Sequence, residues 1–213
     1  MAPKIAVFGT GANGSCIAAS MIDAGHDVTM IDQWPEHVDT MRRNGLTISM
    51  PEQELHVKVR AHHLCDVCTF QEPFDVVLLA VKAYDTRWAC EMIKPHVAES
   101  GMVIGMQNCM VAGIIREVIG PERSIACVLE LSSEMFTPGQ VKRNTPPKKT
   151  WIGLGLLEGG PAHRGGARGH RGVRRGFGAS GGPRCGLGPR VSDVVALRDR
   201  ARAPRDRVPP ERL

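Results

Sequence analysis

A glycine-rich turn between a strand and a helix is the feature that most constrains the fold of this chain. Ile5–Phe8 is a short apolar run, and glycines follow at positions 9, 11 and 14. Residues 16–22 then carry the apolar series of a helix that packs on a sheet. In this context the Gly-x-Gly-x-x-Gly pattern predicts a loop that binds the pyrophosphate of a dinucleotide, and the alternative is a glycine-rich turn without a ligand. The residues assigned to this loop are Gly9, Thr10, Gly11, Ala12, Asn13 and Gly14.

The three glycines and a later acid have distinct expected roles. Gly9 allows the tight turn, Gly11 lets the backbone approach the phosphates, and Gly14 lets the helix pack close to the strand. The unpaired N–H groups at the helix start favour an anion. Asp32 ends the second predicted strand, 18 residues after Gly14. That spacing is near the roughly 20 residues expected for a carboxylate that hydrogen-bonds the adenosine ribose, and the alternative is an acid in an exposed loop.

The rest of the first 157 residues alternates between strand and helix patterns. The expected strands lie at residues 26–31, 46–50, 55–59, 75–81, 102–106 and 124–131, and the expected helices at 35–43, 85–94 and 111–119. Residues 139–143 and 149–154 are expected to pair as a late β-hairpin. The pattern predicts an α/β domain over residues 1–157, with a doubly wound, mostly parallel sheet of the Rossmann type.

Polar residues follow the two predicted central strands. Lys82 comes directly after residues 75–81, and Gln107 and Asn108 follow residues 102–106. Ligands of doubly wound sheets bind beyond the carboxyl ends of the strands. We therefore expect Lys82 to reach a phosphate or a substrate carboxylate, although a solvated loop lysine is the alternative. An amide at position 108 can hold a carboxamide, or a substrate hydroxyl and carbonyl, because it has both donors and acceptors.

The cysteine positions and the hydropathy pattern indicate whether the chain has a metal site, whether it has a membrane span and in which compartment it lies. Cys65 and Cys68 lie beside His62 and His63, but the sequence has no second Cys-x-x-Cys, so a loop with a short helix is favoured over a metal site. No apolar run approaches the length of a membrane span, and the N-terminus lacks the plan of a signal peptide. Seven scattered cysteines indicate reduced thiols and a cytoplasmic location.

The composition changes near residue 157. Acidic residues outnumber basic ones over residues 1–157, whereas residues 158–213 hold 13 Arg, 12 Gly and 6 Pro and no Lys. This low-complexity basic tail is expected to be largely disordered. Its change of composition resembles a frameshifted segment. A competing interpretation is an Arg-Gly segment that binds RNA, but the tail has few aromatic residues between its basic ones, with Phe177 alone, which argues against a nucleic-acid partner.

Several motifs together resemble the ketopantoate reductase (2-dehydropantoate 2-reductase) family. They are residues 4–14, Asn44-Gly45-Leu46, residues 74–86 with Val81-Lys82-Ala83-Tyr84, and Gln107-Asn108, with further similarity at residues 138–145. The resemblance implies a reductase that passes a hydride from NADPH to the ketone of a branched 2-oxo acid. It also implies that Lys82 and Asn108 line the cleft for cofactor and substrate. It places the enzyme in pantothenate biosynthesis, without a membrane partner, and is compatible with a homodimer.

The chain departs from the family pattern in several places. The main catalytic lysine of the family has no counterpart, because no lysine follows Lys149, and the helical domain that would supply it is expected to be absent or frameshifted. We therefore expect a truncated reductase with little or no turnover, or else a dinucleotide-binding module. Cys109 stands where the family usually has glycine. Asp32 favours NAD over NADP, so Arg42 or Arg43 must compensate if NADP is the cofactor.

Overall fold

Two apolar clusters on opposite faces of one sheet organise residues 2–156, the part of the chain that the computed structural model describes. Ile5 and Val7 belong to one cluster, and Ala6 and Phe8 belong to the other. The first strand is therefore buried on both faces, which explains its continuous apolar sequence. The expected basic tail and its alternatives, over residues 158–213, lie outside the described residues.

The described residues contain four α-helices and eleven strands. The helices are α1 Ala12–Asp23, α2 Pro35–Asn44, α3 Thr86–Ile93 and α4 Ala112–Ile119. The strands are β1 Ile5–Phe8, β2 Val28–Asp32, β3 Leu46–Ser49, β4 Glu54–Val57, β5 Arg60–His63, β6 Phe74–Leu79, β7 Val97–Gly105, β8 Ser124–Glu130, β9 Ser133–Thr137, β10 Gln140–Arg143 and β11 Trp151–Leu156.

The larger sheet has seven strands in the order β11-β8-β7-β6-β1-β2-β5. Its pairs are parallel except for β11, which runs antiparallel to β8 at one edge. The chain moves outward in opposite directions from the neighbours β1 and β6, so a crevice forms beyond their carboxyl ends. The predicted Rossmann-type, mostly parallel sheet is confirmed.

The second sheet was not predicted as a separate layer. It has four strands in the order β4-β3-β10-β9 and packs against α1. Strands β3 and β4 form a hairpin after α2, and β10 joins β3 in parallel from a distant part of the chain. The buried Arg143 of β10 donates to Ser20 Oγ of α1 at 3.1 Å. This layer therefore lies directly behind the helix that begins at the glycine-rich loop.

The predicted late hairpin is wrong. Residues 140–143 pair with β9 and β3 in the small sheet, whereas residues 151–156 pair with β8 in the large one. A 3₁₀ helix at Pro147–Lys149 separates the two segments. The apolar Ile152 and Leu154 are partly buried against a core cluster of the large sheet, where β11 pairs with β8 along its whole length.

Candidate functional site

Gly9 and Gly14 are required by the packing of the protein itself. Gly9 has a φ of 94°, and a Cβ placed on it would lie 2.8 Å from the Val81 nitrogen. A Cβ on Gly14 would lie 2.2 Å from the Gly9 carbonyl oxygen. Both positions therefore exclude larger residues whether or not a ligand binds, and they set the tight turn and the close approach of α1 to the sheet.

Gly11 differs, because nothing in the described residues requires it to be glycine. Its φ is −61°, which other residues adopt readily, and a Cβ placed on it meets no atom within 4 Å. The helix that follows has no side-chain cap and no acid in its first turn, so its first N–H groups face this open space unpaired. A half-buried backbone surface with unpaired N–H donors and no side chain fits the pyrophosphate of a dinucleotide.

Asp32 lies beside the loop, at the carboxyl end of β2. Its Oδ2 accepts a hydrogen bond from Thr10 Oγ1 at 3.2 Å, and its Oδ1 accepts one from the Trp34 N–H at 2.9 Å. The residue is 9% exposed. Each carboxylate oxygen retains a further lone pair, so Asp32 can still accept hydrogen bonds from ribose hydroxyls.

Ala12 and Asn13 form the first turn of α1, next to the second sheet. Asn13 is exposed, and its Oδ1 accepts a hydrogen bond from Ser133 Oγ at 2.5 Å. Ser133 begins β9, so one edge of the small sheet borders the loop. An edge strand of the small sheet therefore lies beside the predicted pyrophosphate site.

Lys82 lies on the same side of the large sheet as the loop. The Ala80 N–H donates to the Phe8 carbonyl at 2.8 Å, which fixes the segment before Lys82 against the end of β1. Lys82 is exposed, and its ammonium group forms no hydrogen bond or ion pair with any residue between 2 and 156. Its charge is thus available to an anionic ligand at the crevice.

The side chain of Asn108 uses one donor and one acceptor for hydrogen bonds within the protein. Its Nδ2 donates to the Leu129 carbonyl at 2.6 Å, and its Oδ1 accepts the Leu129 N–H at 2.8 Å. The side chain therefore fastens the loop after β7 to β8. One N–H and one lone pair remain for a ligand.

Gln107 presents a buried oxygen that lacks a partner. The residue is 8% exposed, and its Nε2 donates to Thr86 Oγ1 at 3.2 Å. Its Oε1 accepts no hydrogen bond within residues 2–156. Such an atom is costly to bury, and its place after β7 makes it a candidate acceptor for a ligand N–H or O–H.

His37 was not identified from the sequence, although it is fully buried against the loop. Its Nε2 lies 3.0 Å from the Thr10 carbonyl oxygen, and the Gly139 N–H donates to its Nδ1 at 2.9 Å. Burial lowers the pKa of His37 below its usual 6.5, although the nearby Asp32 carboxylate opposes this shift. No sequence signal marks the residue, because both of its partners are backbone groups.

The segment with Cys65 and Cys68 forms a 3₁₀ helix, Leu64–Thr69. The Cys68 thiol donates to the Cys65 carbonyl at 3.2 Å. Across residues 2–156, no three His, Cys, Asp or Glu side chains lie together as a metal-binding group. No helix in the same part of the chain is long and apolar enough to cross a membrane.

Comparison with known proteins gives consistent matches over these residues. A family model described as ketopantoate reductase PanE/ApbA matches residues 5–155. The 2-dehydropantoate 2-reductase of Lactococcus lactis subsp. lactis (strain IL1403) is 30% identical over 114 residues, which are 54% of this chain and 35% of that protein.

Two solved structures show the same fold. The PanE/ApbA family ketopantoate reductase from Ralstonia eutropha JMP134 is 32% identical, with a TM-score of 0.60 over 66% of this chain and 46% of that one. D-mandelate dehydrogenase with NADH and anilino(oxo)acetate is similar in fold alone, at 24% identity and a TM-score of 0.67 over 74% and 49% of the two chains. The chain thus spans between a third and a half of the length of these relatives.

Proposed function

The chain belongs to the ketopantoate reductase family, and on that premise we propose that it binds NADPH as the dinucleotide half of a 2-oxo acid reductase of the 2-dehydropantoate type. The observation that supports this most directly is the open space at Gly11, beside the unpaired N–H groups of α1. A glycine that the protein does not need for packing is explained by a ligand that approaches the backbone there.

The residues of this chain would bind and orient the two reactants. The N–H groups of residues 11–13 hold the pyrophosphate, and Asp32 accepts from the adenosine ribose. Lys82 holds a phosphate or the substrate carboxylate, while Gln107 and the remaining donor of Asn108 are available to the carboxamide or the substrate hydroxyl. The bound dinucleotide supplies the hydride for reduction of the ketone.

The preference for NADPH over NADH depends on the surroundings of Asp32. Arg42 is occupied, because its guanidinium contacts Asp66 Oδ2 at 2.6 Å and the Ala61 carbonyl at 2.8 Å. Arg43 is exposed and forms no hydrogen bond or ion pair within the part of the chain that the structure describes. Arg43 is therefore the freer of the two arginines for the 2′-phosphate of NADPH, but it lies in the last turn of α2, whereas Asp32 precedes the first turn. NADH, which is bound in the D-mandelate dehydrogenase structure, is the alternative cofactor.

Turnover by a polypeptide of this sequence is expected to be weak. The family resemblance implies a catalytic lysine in a helical domain, and residues 150–213 contain no lysine. The alternative to an active reductase is therefore a module that binds the dinucleotide without consuming it.

Fluorescence titration of the purified 213-residue chain tests the proposal. Saturable binding of NADPH supports dinucleotide binding, and a lack of binding to both NADPH and NADH contradicts it. Consumption of NADPH after addition of 2-dehydropantoate then separates the reductase from the binding module. Loss of binding in Gly11→Ala, with the fold retained, locates the ligand at the loop.

Location and assembly are also proposals. Thiols in the described residues are free, which is compatible with a cytoplasmic location, and light scattering of the purified chain would test the homodimer that the family resemblance allows.

A further inference from the structure

We infer that His37 is a positioning residue of the dinucleotide-binding loop: its neutral imidazole, protonated at Nε2, holds the Thr10 carbonyl and joins the loop to the turn at Gly139. The inference rests on the proposed function, because the loop that His37 positions is the proposed pyrophosphate site.

The two partners of His37 determine which nitrogen carries its proton. A backbone N–H can only donate, so the Gly139 N–H, at 2.9 Å, requires a bare Nδ1. A backbone carbonyl can only accept, so the Thr10 oxygen, at 3.0 Å, requires a proton on Nε2. The ring satisfies both partners only as the neutral Nε2–H tautomer.

Holding the Thr10 carbonyl also orients the N–H of the next residue. The carbonyl of Thr10 and the N–H of Gly11 belong to one planar peptide unit, and every peptide bond in the described residues is trans. The carbonyl accepts from His37 and, at 2.6 Å, from Ser15 Oγ. The Gly11 N–H therefore points the opposite way, away from these two buried side chains and toward the open side of the loop.

The charge on His37 would disrupt this arrangement. An imidazolium carries protons on both nitrogens, so Nδ1–H would face the Gly139 N–H. The charged group that acts on the ring from a neighbouring element is the Asp32 carboxylate at the end of β2. The Thr10 loop and the Gly139 turn present backbone groups to the ring, and Trp34 stacks on it at a centroid distance of 5.7 Å. Dinucleotide affinity is therefore expected to fall as the pH decreases through the pKa of His37, which burial holds below its usual 6.5, and the ring becomes protonated.

Two substitutions separate the two contacts of the ring. His37→Asn keeps an acceptor near the position of Nδ1 but cannot reach Thr10, whereas His37→Gln places an amide N–H near the position of Nε2. We expect His37→Asn to weaken NADPH binding about tenfold at neutral pH, and His37→Gln to remain within about threefold of the parent. His37→Gln, which cannot titrate, should also lose the decrease in affinity at acidic pH. His56→Asn, at an exposed histidine of β4, is the matched control and should bind as the parent does.

The outcomes that overturn the inference are distinct from those that overturn the proposed function. Long-range proton–nitrogen NMR of the ligand-free chain should show the neutral Nε2–H tautomer at neutral pH, and an Nδ1–H tautomer or a charged ring rejects the inference. Unchanged affinity in His37→Asn, or an acid decrease in NADH affinity that persists in His37→Gln, rejects it as well; NADH is the probe for the pH series because the 2′-phosphate of NADPH itself titrates at about pH 6. If the parent chain binds no dinucleotide, the proposed function fails. In that case the NMR order parameter of the Gly11 amide still decides, since it should fall in His37→Asn and not in His56→Asn.

Discussion

Gly11 and Gly14 belong to one motif, yet the atoms around them predict opposite effects of the same substitution. Gly14→Ala forces a Cβ against the Gly9 carbonyl, so we expect it to lower the free energy of unfolding by about 1–3 kcal/mol. Gly11→Ala meets only open space and should change that free energy by less than about 0.5 kcal/mol. It should nevertheless weaken NADPH binding at least about tenfold, or about 1.4 kcal/mol.

Urea unfolding and NADPH titration of the two variants check this prediction. Binding by Gly11→Ala that equals the parent would show that no ligand approaches the backbone at this position.

The unpaired oxygen of Gln107 leads to a second prediction. Gln107→Met removes a buried acceptor without a partner, and Thr86 Oγ1 keeps its bond to the Ala83 carbonyl at 2.8 Å. We expect the free energy of unfolding to stay within about 1 kcal/mol of the parent, while NADPH affinity decreases several-fold. The exposed Gln71→Met serves as the control. A strong loss of stability without a change in binding would assign the side chain to the fold alone.

Asp32 should set the choice between the two cofactors. A carboxylate repels the 2′-phosphate of NADPH, whereas the amide of Asp32→Asn still accepts the Trp34 N–H. The ratio of NADPH to NADH affinity should therefore rise about tenfold, or about 1.4 kcal/mol. Titration of parent and variant with both dinucleotides gives the ratio. A ratio that stays constant would mean that Asp32 does not face the adenosine ribose.

At the scale of single residues, the sequence predicts those site residues that belong to a motif with a fixed spacing. Asp32 lies beside Thr10 of the glycine-rich loop, because the strand–turn–helix unit and the end of the next strand have a nearly constant geometry, and its contact with the adenosine ribose stays a prediction. His37 was missed, because its partners are backbone atoms and Gly139 lies 102 residues away. The double contact of Asn108 with Leu129 was also unforeseen, since no pattern specifies which strand an amide will face.

At the scale of elements, the parallel strands were predictable and the small sheet was not. Apolar runs such as Phe74–Leu79 are continuous because both of their faces are buried. Strands β9 and β10 are short and partly exposed, so their sequences do not show which sheet they join. The predicted late hairpin is wrong for this reason: adjacency in sequence suggested that β10 and β11 pair, but β11 pairs with β8, where Ile152 and Leu154 are partly buried against the core.

The contacts of Arg143 lead to a prediction about how the small sheet is held against helix α1. Its guanidinium donates to Ser20 Oγ, to the Thr145 carbonyl at 2.8 Å and to Thr150 Oγ1 at 2.7 Å, and burial lowers its pKa. Arg143→Lys cannot reach three partners in different directions. We expect it to lower the free energy of unfolding by about 2–3 kcal/mol. Arg123→Lys, whose parent side chain donates to two carbonyls, is the comparison in the urea experiment, and equal losses in both variants would contradict the special role of Arg143.

At the scale of the whole molecule, stability should depend on pH through one buried and one half-buried histidine. Burial lowers the pKa of His37 and of His62 below 6.5, so the unfolded chain binds more protons than the folded one between the folded pKa values and 6.5. The free energy of unfolding is therefore at its full value above pH 6.5 and decreases as the pH falls through these pKa values. Urea midpoints measured between neutral and mildly acidic pH check this. His37→Gln should flatten part of the decrease, and a midpoint that rises on acidification would contradict the prediction.

The parallel pairing of β3 with β10 has a consequence for the order in which the chain acquires its structure during synthesis. Strands β1 and β2 and helix α1 can assemble early, because their contacts are local. The Gly139 N–H that meets His37 leaves the ribosome about 100 residues later, and closing so long a loop is slow. A nascent chain that ends before Gly139 would contain the complete glycine motif with His37 unpaired at Nδ1, so the Nε2–H tautomer that holds the Thr10 carbonyl should become the fixed form of the ring only after Gly139 has been translated.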